Sequence, residues 1–112
     1  MTRATALFLV LSILILADMA LTYAVLLTGR GYEANPAWQV FNEDPNAVWT
    51  VAGPQTAISL AAIYALVRAA LRYPLALRVS EILVAGAASH RAVIVAHNLC
   101  VLALGVNLLP VG

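Results

Sequence analysis

Residues 18–36 read DMALTYAVLLTGRGYEANP, and this stretch decides the fold. It begins with a carboxylate, Asp18, inside an apolar run, and it ends in a glycine-rich turn followed by Glu33, Asn35 and Pro36. A charged side chain within a membrane is energetically costly, so it usually faces a partner side chain, a cavity or a ligand. We therefore expect the rest of the chain to be arranged around Asp18.

The composition is that of a membrane protein. The chain has 112 residues, of which 63% are hydrophobic and only 10% are charged. A soluble domain carries about 25% charged residues, so this chain would have too little polar surface to face water. The lipid bilayer is the first expected partner, and the net charge of +1 gives no sign of a nucleic-acid partner.

The first predicted span covers residues 4–28, which is long enough to cross about 30 Å of hydrocarbon. A cleaved signal peptide is the alternative, but its apolar core is only about 7–15 residues long. We therefore expect a retained span. Asp18 and Thr22 are four residues apart and share one face of this helix. Glycines at positions 29 and 31 are typical of a helix C-terminus.

The first connection, residues 29–53, is predicted to hold two short interfacial helices. Its aromatic residues are typical of the membrane–water boundary. Asn35 followed by Pro36 predicts a helix start before residues 37–41, and Asp44 followed by Pro45 predicts a second start.

Two more spans are predicted, over residues 54–72 and 82–109, with a basic connection at 73–81. Pro74 interrupts the helical pattern between them. Residues 75–88 are ambiguous, because they fit either an interfacial helix or the first part of the third span.

Small residues recur every three or four positions in the second and third spans. Such stripes allow helix backbones to approach closely in lipid. We therefore expect a packing seam in which these residues face other helices. The residues of this alanine seam are Ala57, Ala61, Ala65, Ala92, Ala96 and Ala103.

The arginine distribution predicts the orientation. Arg3 lies at the N-terminus, and three arginines flank the second connection, at positions 68, 72 and 78. The first connection has one arginine against three acidic residues. Because basic residues favour the cytoplasmic side, we expect a multi-pass protein of the cell membrane with a cytoplasmic N-terminus.

The predicted fold class is therefore all-α, a small helical transmembrane bundle of three spans forming a single domain over residues 1–112. The pattern Asp18-x-x-x-Thr22, followed by Gly31-x-Glu33-x-Asn35-Pro36, resembles the signature of a family of small prokaryotic polytopic membrane proteins that is catalogued as a domain of unknown function. The resemblance implies an architecture and no reaction.

Several polar residues are expected to form an intramembrane cluster around Asp18. In one interpretation the Asp18 carboxylate makes an interhelical hydrogen bond to Asn98, a histidine or the loop backbone. In the other, Asp18 and Glu33 form a proton, cation or acid–base site. The predicted members are Asp18, Thr22, Glu33, Asn35, Gln55, His97 and Asn98.

No metal site and no cofactor are predicted. His90 and His97 are seven residues apart on one helix, about 10 Å, so they cannot easily bind one metal ion or haem. The single cysteine, Cys100, lies in an apolar run and is expected to be a packing residue.

Three functions follow from these features. The apolar stripes, together with the lack of a complete catalytic set, favour an accessory subunit that packs with other membrane subunits or with itself. The alternatives are an intramembrane enzyme or ion-binding protein that uses Asp18, Glu33 and a histidine, and an oligomeric transporter or pore. Small drug–proton antiporters are disfavoured because they need four spans, and a holin-like pore would not need a specific intramembrane aspartate.

Overall fold

The computed structural model describes residues 2–29 and 40–104, and the regular elements in these ranges are all helices. The predicted all-α class is therefore confirmed. Three helical stretches are long and apolar enough to cross a membrane: the first helix, the stretch Ala47–Ala70 and the last helix. The elements are α1 (Arg3–Thr28), α2 (Val40–Glu43), α3 (Ala47–Thr50), α4 (Ala52–Ala70) and α5 (Pro74–Leu104).

Helix α1 has a defined residue at each end. Thr2 is the N-cap, and its side-chain oxygen accepts a hydrogen bond from the Thr5 backbone N–H at 3.2 Å. Gly29 ends the helix with a φ of 70°, a left-handed conformation that glycine adopts without a Cβ clash. Helix α1 thus covers the whole of the predicted first span, residues 4–28, and begins one residue before it.

Helices α1 and α5 lie side by side and run in the same direction. The Arg3 guanidinium lies 4.0 Å from the Glu81 carboxylate in the N-terminal part of each helix. Asp18 contacts Asn98 in the C-terminal part of each helix. Their shared core also takes in one residue of α4. The buried members of this core are Ala4, Leu11, Val67, Val84 and Ala88.

The short helices α2 and α3 pack on the C-terminal half of α1. Phe41 and Val48 are buried against Met19. Only Val51 separates α3 from α4, so the second short helix leads almost directly into the second span. The predicted start of that span at Pro54 is two residues late, because proline is tolerated throughout the first helical turn and does not mark its first residue.

Residues 73–81, predicted to be a basic connection, are helical from Pro74 onward. Pro74 is the first residue of α5, which continues without a break for 31 residues, so residues 75–88 belong to the third long helix. Pro74 alone could not show this, because proline is found at the first position of a helix as well as at an interruption. At about 46 Å, α5 exceeds the hydrocarbon thickness, and we expect its first turns, with Arg78 and Glu81, to extend beyond it.

The alanine seam does not form within the chain. All six of its residues are exposed, and α4 buries only Val67. The described helices of this chain leave the stripes of α4 and α5 uncovered, and the prediction that these residues face other helices stays a prediction about a partner. The buried residues of α5 are Val84, Ala88, His97 and Val101, and the contacts made by these residues do not extend to Ala92, Ala96 or Ala103.

Candidate functional site: an intramembrane ion pair

The Asp18 carboxylate is the centre of a hydrogen-bonded cluster between α1 and α5. Its Oδ2 accepts a hydrogen bond from the Arg91 guanidinium at 2.7 Å. Its Oδ1 accepts one from the Asn98 amide at 2.7 Å, and the Thr22 hydroxyl lies 3.5 Å from the same oxygen. The Asn98 amide is also 3.4 Å from the Thr22 hydroxyl.

Helical spacing explains why these four side chains meet. Thr22 lies one turn after Asp18 on α1, so both side chains project from the same face. Arg91 and Asn98 are seven residues apart on α5, which is about two turns and again one face. The two faces oppose each other because α1 and α5 pack against one another along a shared core.

The electrostatics of the cluster are those of a closed ion pair. Asp18 is mostly buried, with 13% of its side chain exposed, whereas 38% of the Arg91 side chain is exposed. The two formal charges cancel, and both carboxylate oxygens already accept hydrogen bonds. The arrangement therefore holds two long helices in register, with the charge of Asp18 already balanced by Arg91.

The predicted site residues are only partly brought together. Asp18, Thr22 and Asn98 meet, and His97 is buried with 2% exposure. Gln55 is exposed and makes no hydrogen bond to any residue in 2–29 or 40–104. The other two predicted members, at positions 33 and 35, lie outside the described residues.

Arg91 is the member of the cluster that sequence reasoning missed. A signal existed, because Arg91 is a basic residue inside the third apolar stretch and shares a helix face with Asn98. The arginine distribution across the connections predicts orientation but assigns no role to an arginine within a span. Such an arginine needs an acidic partner, and Asp18 is that partner.

No group of three or more His, Cys, Asp or Glu side chains that could hold a metal ion occurs in the ranges 2–29 and 40–104. His90 is exposed and Cys100 is half-buried. The described residues thus provide the chemistry of an ion pair with two polar neighbours, Thr22 and Asn98.

Comparison of the chain with models of protein families, with curated proteins and with solved structures finds no match. The resemblance to the family with the Asp-x-x-x-Thr signature therefore stays a prediction. What can be said of function rests on the geometry.

Proposed function

We propose that this chain is an accessory subunit of a membrane assembly and that it packs through the exposed small-residue faces of α4 and α5. One observation supports the proposal: all six residues of the alanine seam are exposed in the isolated chain. Lipid provides no hydrophobic force between helices, so helices associate through close packing, which small residues permit.

Helix α1 provides a comparison within the same molecule. Its exposed face carries large side chains, with Leu9, Ile13 and Leu16 each at least 43% exposed. Helices α4 and α5 expose large side chains as well, such as Ile58 and Leu99, but these stand between the alanines of the seam, which leave room for a partner helix.

The ion pair fits a structural role better than a catalytic one. A cation at Asp18 would compete with the Arg91 guanidinium, which already neutralises the carboxylate at 2.7 Å. The pair instead ties α1 to α5, so that the small-residue face of α5 is presented by a rigid two-helix unit. This reasoning favours the accessory subunit over the intramembrane enzyme and over the transporter or pore.

The seam predicts the effect of a bulky substitution. We expect Ala96→Leu to leave the folded chain intact but to reduce the amount in the assembled state several-fold, because the added side chain would keep a partner helix away. Native gel electrophoresis after mild solubilisation measures the assembled fraction.

The matched control for that experiment is Ala20→Leu, which places the same change on the exposed large-residue side of α1. It should leave assembly unchanged. Equal assembly of both variants and the unsubstituted chain would remove the support for a packing role of the α5 face.

The proposed orientation places the N-terminus in the cytoplasm of a cell-membrane protein. In a Cys100→Ala background, cysteines introduced at Asn42 and at Arg72 should react with an impermeant thiol reagent from opposite sides of the membrane. Asn42 should react from outside and Arg72 only after the membrane is opened. Reaction of both from one side would reject the three-span arrangement.

A further inference from the structure

One end of the bundle brings together the C-terminus of α4 and the N-termini of α1 and α5. Ala52, at the start of α4, packs against the cluster that contains Met19 of α1. Twelve residues later the Tyr64 ring contacts the Phe8 ring, with 5.4 Å between the ring centroids. Helix α4 therefore runs antiparallel to α1, and its last turns lie beside the first turns of α1. We call this the turn end of the bundle, because the α4–α5 turn lies there.

The turn end carries an excess of positive charge. It holds four arginines, at positions 3, 68, 72 and 78, and one glutamate, Glu81, which gives a net charge of +3. Glu81 lies 4.0 Å from the Arg3 guanidinium. The other three arginines form no ion pair with any residue in 2–29 or 40–104.

The other acidic side chains of the sequence lie away from the turn end. Asp18 is paired with Arg91. The acids at positions 43 and 44 belong to α2 and the residue after it, and α2 packs on the C-terminal half of α1. Glu33 lies outside the described residues, but it is only five residues beyond Thr28, so the chain allows it at most about 18 Å from that residue.

Arg68 is out of the reach of Glu33. It follows Tyr64, which contacts Phe8, by one helical turn, and Phe8 precedes Thr28 by 20 residues. The level of Arg68 is therefore about 36 Å from Thr28 along α1, and Arg72 is one turn further away. The positive charge of the turn end thus has no further acid of this chain to balance it.

The two arginines of α4 line a cavity at the turn. Arg68 and Arg72 are four residues apart, so their side chains project from one face of the helix, and both are exposed. Leu71 packs against the shared core and gives the cavity an apolar floor. The cavity has a volume of about 660 Å³, and the residues that line it are Arg68, Ala69, Leu71, Arg72 and Tyr73.

The cavity lies at the level where lipid phosphates are found. The second apolar stretch ends at Ala70, so residues 71–73 leave the hydrocarbon there. The long Arg68 side chain can extend from the last turn of the span to the same boundary, and a tyrosine such as Tyr73 is typical of it. One turn deeper, Leu66 is 70% exposed and offers an apolar surface to an acyl chain.

We propose that this cavity binds the headgroup of an anionic phospholipid and that Arg68 and Arg72 hold its phosphate. The planar guanidinium matches the oxygens of a phosphate, and basic pockets beside membrane helices suit anionic headgroups. A zwitterionic lipid also has a phosphate, but its ammonium group would lie among the arginines. The inference goes beyond the proposed function and does not depend on it, because no residue of the cavity belongs to the alanine seam.

Lipid binding to the purified chain tests the site. The chain in non-ionic detergent is titrated with phosphatidylglycerol or with phosphatidylcholine, and native mass spectrometry counts the bound lipid. We expect one phosphatidylglycerol to be retained at concentrations at which phosphatidylcholine is not. Arg68→Gln and Arg72→Gln should each weaken phosphatidylglycerol binding about five-fold, which is the contribution of one arginine near an anionic membrane surface.

The matched control is Arg3→Gln. It removes the same charge from the same end of the bundle, but Arg3 is on α1 and does not line the cavity. We expect this variant to bind phosphatidylglycerol as tightly as the unsubstituted chain does, with the helix content of all variants checked by circular dichroism. Equal weakening by Arg3→Gln and Arg68→Gln would overturn the proposal, because it would show attraction to the net charge without a site.

Glycerophosphoglycerol, the same headgroup without acyl chains, separates a lipid from a soluble phosphate compound. At the concentration of the lipid it should not displace bound phosphatidylglycerol, because it lacks the apolar chains. Displacement at that concentration would overturn the lipid as the ligand and assign the cavity to a soluble phosphate compound. Equal retention of phosphatidylglycerol and phosphatidylcholine would overturn the selection of an anionic headgroup.

Discussion

Asp18→Leu should destabilise the folded chain by about 3 kcal/mol, because it leaves the Arg91 charge without a counter-charge inside the membrane. Arginine keeps its proton in proteins, so the remaining charge cannot be neutralised. Arg91→Leu should cost less, because a carboxyl group left in an apolar site can take up a proton. Unfolding of the purified protein in mixed detergent micelles, followed by circular dichroism, measures both changes.

The double variant tests whether Asp18 and Arg91 stabilise the chain as a pair or independently of each other. Asp18→Leu combined with Arg91→Leu removes both charges at once, and replacement of a whole buried pair by apolar residues is often close to neutral. We expect its stability to approach that of the unsubstituted chain, apart from the lost Asn98 hydrogen bond. Additive losses in the double variant would show that the two residues do not act as a pair.

Leu11→Ala should produce the second large effect. Leu11 is 3% exposed and lies in the core shared by α1, α4 and α5. Removing its side chain leaves a cavity between helices that lipid does not fill, at a cost of about 2–5 kcal/mol. The same detergent unfolding measurement applies.

Leu9→Ala is the control, because Leu9 is 43% exposed on the same helix two residues away. Leu9→Ala should lower the free energy of unfolding much less than Leu11→Ala does. Equal losses at the two positions would contradict the placement of α1 in the bundle.

Much of the fold follows from apolar run lengths. A stretch long enough to cross the bilayer can adopt few other structures, so the three long helices were predictable. The starts of the helices near proline were harder to predict. Pro54 and Pro74 both lie in the first turn of a helix, but the sequence does not show which residue of that turn each proline occupies. For this reason the helical form of residues 74–81 could not be predicted.

The site was predictable in part. Asp18, Thr22 and Asn98 are recognisable in the sequence as polar residues within apolar stretches, and in the structure they contact one another. Arg91 was missed because its role depends on which face of α5 meets α1, and that is decided by packing of Ala88 and Val84. The described helices leave the alanine seam uncovered. Its partner could not be predicted, because a small-residue stripe shows that close packing is possible but does not identify the partner.

The central claim is that the small-residue faces of α4 and α5 are covered by protein in the native membrane. Photo-crosslinking amino acids at Ala61 and at Ala96 test it directly, with the same amino acid at Leu16 on the exposed side of α1 for comparison. We predict discrete crosslinked protein species from Ala61 and Ala96 and none from Leu16. Lipid adducts alone from all three positions would contradict the account.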